Sequence, residues 1–292
     1  MGKIITILKR EVSSEDIRLI NHLIAEYGHK GRTFISKELC RIWDWRNPNG
    51  QYRDIICRDL LRRLEKREYI QLPEPLKASR KPGCKNNPVL PKSFKSFPIR
   101  QSLASFAQLT ILMVRGSKQE RLYNGLIHTY HYLGYHQGNG EQLKYLIKGD
   151  GQILAAIGFA GAAYKIAARD EYIGWDNKQR ENNLVKVINN NRFLIMPWVE
   201  VPNLASYILG RVTRRLMHDW HNYYKRDIVL LETFVEKDRF KGVCYKAANW
   251  KYLGQTKGRT RNDRYSKIKA SIKDVYVYPL TGHFREALTY EQ

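Results

Sequence analysis

Phe193-Leu-Ile-Met-Pro-Trp-Val-Glu-Val-Pro-Asn-Leu-Ala-Ser-Tyr-Ile-Leu209, continued by Val212, Leu216 and Trp220, is the stretch whose reading decides the fold class. Its first eight residues are a nearly unbroken apolar run ending at Glu200, which suits a strand buried on both faces of a parallel or mixed sheet. From Asn203 the period changes. Leu204, Ile208, Val212, Leu216 and Trp220 recur every four residues and draw one stripe along a helix, with Asn203 in the N-cap position. Arg211, Arg214, Arg215, His218 and His221 fall off that stripe, so the outer face of the helix is basic. Ile228–Val235 then reads as a second buried strand. A strand–helix–strand unit of this kind is the centre of an α/β domain.

Upstream, two strands are expected at 143–148 and 153–163, joined by the turn Gly149-Asp-Gly151. A helix follows around 177–187, and Asn189-Asn-Asn-Arg192 reads as the turn into the central strand. Residues 101–115 hold one more element around Ile111–Val114. The aromatic and histidine-rich run Leu122–His136 is expected to pack on the sheet and line a groove, with His128 and His131 on one helix face. Val275–Leu280 alternates as an edge strand does.

The N-terminal part is organised differently. Helices are expected at 13–28, from Ser36 to Trp43, and from about 51 to 67, where Ile56, Leu60 and Leu64 form the buried stripe. The third helix carries Arg53, Arg58, Arg62, Arg63 and Lys66 off that stripe, and Tyr69–Leu72 reads as a short strand after it. Three helices with a basic third member and a following strand outline a winged helix-turn-helix, and DNA is the partner such a helix serves. A protein-docking role for the same module is the alternative. Six of the ten prolines fall between Pro73 and Pro98, among many lysines and arginines. The chain therefore divides into a winged-helix domain at 1–72, a basic Pro-rich linker at 73–100 and an α/β domain at 101–292 with a basic arm near its end, carrying Lys257, Arg259 and Arg261.

Charge bounds the partner. Lysine and arginine total 51 against 28 acids, a net charge of +23 over 292 residues, which points to a polyanion and first of all to DNA. Cys40, Cys57, Cys84 and Cys244 are scattered without metal-ligand or disulfide spacing, so a reduced, cytoplasmic setting is expected. No segment is long and apolar enough for a membrane role.

Several of these segments together are similar to the DruA family. They are Ser36–Arg46 with Asn49-Gly50, Tyr130–Gly134, Arg169-Asp170, Ile173-Gly-Trp175, Asn190–Ile195, Asn203–Ser206, Leu231–Val235 and Tyr245–Arg259. The resemblance implies a bacterial anti-phage defence system, Druantia, or a mobile element, with other defence-system or mobile-element proteins as partners. The order of elements also resembles a GNAT acyltransferase, with a last helix ending at Leu253-Gly254. The pyrophosphate loop of that fold would fall on Val201–Ser206, which has no glycine and whose Pro202 has no amide proton. Trp250 stands where a tyrosine acid would be sought.

Candidate chemistry rests on His131, Asp170, Glu200 and Glu232. Three carboxylates at strand ends would hold Mg²⁺ or Mn²⁺ for nuclease or strand-transfer chemistry if they converge, with His131 as general base. The alternative is that Glu232 is neutralised by an arginine such as Arg169 or Arg192. Three functions stay open: DNA binding, metal-dependent DNA cleavage or strand transfer, and degenerate acyl transfer.

Overall fold

The computed structural model describes residues 4–8, 10–47, 50–76, 87–138, 140–258 and 271–290. The chain divides into two compact units, Met1–Lys85 and Asn86–Gln292.

In the smaller unit a hairpin of β1 (Ile5–Ile7) and β2 (Arg10–Val12) precedes α1 (Ser14–Tyr27), α2 (Arg32–Ile42) and α3 (Asp54–Lys66). Helix α1 starts as expected. Ser13 and Asp16 form a reciprocal capping box, the Ser13 hydroxyl accepting from the Asp16 N–H and the Asp16 carboxylate from the Ser13 N–H at 2.8 Å. Ser13→Ala is expected to cost the smaller unit ~1 kcal/mol, read as a lower urea midpoint with an unchanged slope. Helix α2 begins four residues before the expected Ser36, after Gly31 at φ 82°, and the Ser36 hydroxyl donates to the Thr33 carbonyl from inside the helix. The buried stripe of α3 is Cys57, Leu60, Leu61 and Leu64, whereas Ile56 is exposed. Tyr69 lies in a bend and Tyr69–Leu72 pairs with no strand among the described residues, so the strand expected after α3 is not formed by these residues. Trp43 and Trp45 act as packing residues, with the Arg10 guanidinium 4.1 and 4.8 Å from their rings.

The larger unit is a mixed α/β structure. Its elements run β3 (Ile99–Arg100), β4 (Leu109–Met113), α4 (Glu120–Tyr130), β5 (Gln142–Gly149), β6 (Gln152–Gly161), α5 (Ala167–Ile173), α6 (Asn177–Asn183) and β7 (Val187–Ile195). There follow β8 (Val199–Glu200), α7 (Leu204–Tyr224), β9 (Leu230–Glu236), α8 (Val243–Ala247), β10 (Lys251–Gln255), β11 (Lys273–Pro279) and α9 (Phe284–Thr289). Seven strands form one sheet in the order β10-β11-β9-β7-β6-β5-β4, in which β7 and β9 are parallel and the other neighbours antiparallel. The β5–β6 turn is the expected one, with Asp150 at φ 48° and Gly151 at φ 82°, the two left-handed residues a type I′ hairpin requires. The stripe Leu204, Ile208, Val212, Leu216 and Trp220 is buried along α7, packed with Leu126, Tyr145, Ile157 and Phe159.

Five expectations are corrected. Asn189–Arg192 is not a turn but the middle of β7, which begins at Val187 and ends at Ile195, before the turn containing Pro197. Glu200 therefore lies outside the central strand, on the two-residue β8 that pairs with β3. Residues 275–279 belong to an interior strand, β11, flanked by β10 and β9, with Leu280 just beyond its end, and Leu253-Gly254 lies in β10 rather than at a helix end. Asn203 precedes α7 at φ 62° without capping it through its side chain. Around the stretch read as linker, Arg32 bonds the Pro73 carbonyl at 2.7 Å in the smaller unit, while Leu90 and Phe94 pack on the core of the larger one.

Candidate functional site

The parallel pair β7–β9 is registered only at Val187–Asn189 against Leu230–Glu232. Beyond that point the strands part, β7 remaining paired to β6 and β9 to β11. Each strand thus turns one free edge toward the other. Between them opens a cleft of about 600 Å³, at the C-terminal ends of parallel strands where open α/β sheets receive ligands. The far half of β7, residues 190–195, forms one wall and Thr233–Val235 of β9 the other. Tyr130–Leu133, at the end of α4, and Phe240–Tyr245, leading into α8, complete it.

This geometry explains the partial exposure of Phe193, Leu194 and Ile195, read from sequence as buried on both faces. The apolar run is a cleft wall. It also gives Asn190 its role: the Asn190 carboxamide donates to the carbonyls of Gly158 (2.9 Å) and Arg192 (3.2 Å) and accepts from the Tyr245 hydroxyl (2.7 Å), while Thr233 Oγ1 donates to the Asn190 carbonyl (3.0 Å). A polar group inside a sheet is tolerated because every bond it lost from water is replaced. Arg192 donates to the carbonyls of Gly134 and Asn191. Gly242, at φ 65°, lies over the Tyr276 hydroxyl, which a Cβ there would approach to 2.4 Å.

Of the four acid–base candidates only His131 lines the cleft. Its N–H closes α4 on the Ile127 carbonyl, and its Nδ1 accepts from the Leu133 N–H at 3.2 Å. Burial, aided by the Arg192 charge, pushes the imidazole pKa down to about 4. The folded protein therefore holds His131 neutral, a contribution complete above the unfolded value near 6.5 and lost as pH falls toward 4. His131→Gln is expected to lose less stability than wild type between those pH values, measured by urea unfolding at each.

Asp170 and Glu232 do converge, but on a guanidinium. Arg169, fully buried, donates to Glu232 at 2.7 Å and to Asp170 at 2.7 Å, and Glu232 also accepts from the Ala163 N–H at 2.8 Å. Trp175 Nε1 donates to Asp170 at 3.0 Å. Burial raises the Glu232 pKa, and the Arg169 charge and the Ala163 N–H pull against it. Glu200 stands apart, exposed and bonded to Arg100 at 3.0 Å. Among the described residues no group of three or more His, Cys, Asp or Glu is placed to hold a metal ion.

The cationic candidates divide by partner. On α3, Arg58 pairs with Asp54, and Arg62 and Arg63 with Asp59. Arg53 donates to Asn47, and Lys66 is exposed. On α7, Arg215 is engaged by Asp219 at 2.7 Å and donates to the Ile111 carbonyl, but Arg211 and Arg214 are exposed. Lys257 is exposed, and Arg259 and Arg261 lie outside the described residues.

Sequence reading missed Asn190, Arg192, Tyr245 and Phe240 as cleft residues. One signal was available: a polar run flanked by Val187-Ile188 and Phe193-Leu-Ile195 is bracketed by strand formers on both sides. Trp250, considered for the place of a tyrosine acid, is buried with its Nε1 unpartnered among the described residues, and the cleft carries the hydroxyls of Tyr130, Tyr132, Thr233 and Tyr245, of which that of Tyr245 is bonded to Asn190.

The fold and cleft define a mixed α/β protein with a ligand-sized opening in its sheet, in the GNAT-like element order expected through β9. The chain belongs to the DruA family, described as Druantia protein DruA, whose model matches residues 63–283. No curated protein matches the sequence. Solved structures similar to it include a spermidine N-acetyltransferase chimera from Vibrio cholerae SpeG and hSSAT, at 9% identity and a TM-score of 0.37, covering 63% of this chain and 100% of that one. A Bacillus subtilis acetyltransferase in complex with CoA matches at 6% identity and a TM-score of 0.37, over 60% of this chain and 100% of its own. The ribosomal-protein-S18-alanine N-acetyltransferase of Escherichia coli matches at 12% and 0.33, over 60% and 95%. Likenesses this slight assign no chemistry to this chain.

Proposed function

We propose that this protein is a DNA-binding component of a bacterial anti-phage defence system or mobile element, holding the phosphate backbone through exposed cations on both units. The observation that carries the reading is the outer face of α7. Arg211 and Arg214 are exposed there, while the helix's one acid, Asp219, is turned to Arg215 and Tyr145. Within a chain of net charge +23, cations with no carboxylate partner among the described residues are what a polyanion neutralises most readily. The smaller unit would add a winged-helix grip through Lys66 and the arginines of α3, weakened by their pairing with Asp54 and Asp59.

Binding without cleavage is favoured over a Mg²⁺- or Mn²⁺-dependent nuclease because Arg169 occupies the position between Asp170 and Glu232 that a cation would need. Acyl transfer is the weaker reading, since Pro202 and the left-handed Asn203 leave few free amides before α7 for a pyrophosphate. Labelled single-stranded, duplex and branched DNA, with and without Mg²⁺ or Mn²⁺, should shift on native gels and remain intact on denaturing ones. Absence of any shift at low salt would overturn DNA binding, and cut strands would overturn binding alone.

A further inference from the structure

We infer that the cleft between β7 and β9 takes an unstacked base of single-stranded or locally opened DNA. This rests on the DNA-binding reading above and names what the cleft adds to it.

The rim of the cleft is an exposed apolar patch: Tyr132, Leu133, Phe240 and Val243 are 38%, 37%, 49% and 65% exposed. Large apolar groups gathered around a cavity mark a place that something covers. Their arrangement is aromatic and flat. Tyr132 stacks on His131 with centroids 4.8 Å apart and planes 27° off parallel, and lies 5.4 Å from Phe240. His131 is held neutral, so the stacked pair carries no charge of its own.

Cations surround this surface. Arg192 lies in the wall, Lys241 on the rim, and the Arg239 guanidinium sits 5.2 Å from the Tyr132 ring. The Glu236 carboxylate is engaged by Arg239 at 3.7 Å. Aromatic faces beside cations are how single-stranded nucleic acid is held, the rings taking bases and the cations the backbone.

The walls meet the edge of a base through main chain. Past Asn189 and Glu232 the facing edges of β7 and β9 pair with no strand among the described residues; side chains take the carbonyls of Asn190, Asn191 and Arg192, and the rest of these edges is main chain that a base edge can meet. The Asn190 carboxamide is committed to Gly158, Arg192 and Tyr245 and cannot serve as a base-specific reader. Recognition of this kind tolerates any base. Burial raises the Cys244 thiol pKa, so the one thiol in the wall is poorly nucleophilic and the cleft reads as a binding site.

The experiment uses the full chain and two probes. The first is fluorescence anisotropy with a single-stranded oligonucleotide and with a duplex of the same sequence, on wild type and on Tyr132→Ala, Phe240→Ala and the double variant. These side chains are exposed, and unchanged thermal unfolding will show that the fold holds. Single-strand affinity is expected to fall about tenfold or more in the double variant, with duplex affinity within about twofold of wild type. The second probe is dAMP alone, whose base resonances should broaden with wild type and not with the double variant. Equal loss for both strand forms, no loss for either, or dAMP broadening that survives the double variant would overturn the inference. So would a rise in melting temperature with acetyl-CoA, abolished by the same substitutions, with no dAMP binding. If neither strand form binds, the DNA-binding reading fails, and the dAMP arm alone then decides the cleft.

Discussion

Glu232→Ala is expected to lower the stability of the larger unit by about 3 kcal/mol or more, read as a drop in the urea midpoint. Glu232 and Arg169 are both fully buried and 2.7 Å apart. Deleting the carboxylate leaves Arg169 with Asp170 and the Ala163 carbonyl as partners, but removes the charge that faces it from the sheet. A buried cation short of one carboxylate costs more than the cavity left by the side chain. Arg169→Met with Glu232→Leu should recover part of the loss, because it removes the stranded guanidinium while Asp170 keeps Trp175 and Arg180 as partners. A loss under ~1 kcal/mol in Glu232→Ala, within ordinary surface effects, would show that the pair is not a structural anchor. If that mild variant also lost an activity on DNA, the carboxylate would return as a chemical group.

Arg211→Glu with Arg214→Glu is expected to weaken DNA binding roughly 10²-fold at moderate salt, each lost charge-assisted phosphate contact being worth ~1.5–3 kcal/mol. The slope of log K against log salt should shrink by ~2, one unit for each phosphate no longer neutralised. Both residues are exposed on α7 while Leu204, Ile208, Val212, Leu216 and Trp220 hold its other face in the core, so the fold should survive the change. The same reversal at Arg58 and Arg62 is expected to do less, because Asp54 and Asp59 already draw on those charges. Equal or greater loss at the α3 positions would move the main grip to the smaller unit.

The site was half visible in the sequence. His131 was read as a groove residue because histidine and tyrosine crowd Leu122–His136, and it lines the cleft. The pairing of Glu232 with Arg169 was foreseen as an alternative on the physical ground that an acid inside an apolar strand needs a partner. Arg192, offered as the other partner, instead donates to backbone carbonyls. The Asn189–Arg192 run was misread for a local reason. Consecutive asparagines favour turns, and only the neighbouring strands β6 and β9, from residues 155–161 and 230–232, supply the ladder that keeps them extended.

By itself the sequence determined what depends on period and composition. The four-residue stripe of α7, the capping box at Ser13, the left-handed pair Asp150-Gly151 and the cationic excess are local or additive properties, and a chain carries them in any fold. Tertiary structure alone decided where β7 and β9 part, which brings residues near 131, 192, 234 and 245 to one opening. It likewise decided that β11 enters the sheet interior and that Asp170 meets Glu232 across Arg169. Each of these joins residues dozens of positions apart through strand order and the length of a parallel register. Those are set by the packing of the whole sheet, and no window of neighbouring residues contains them.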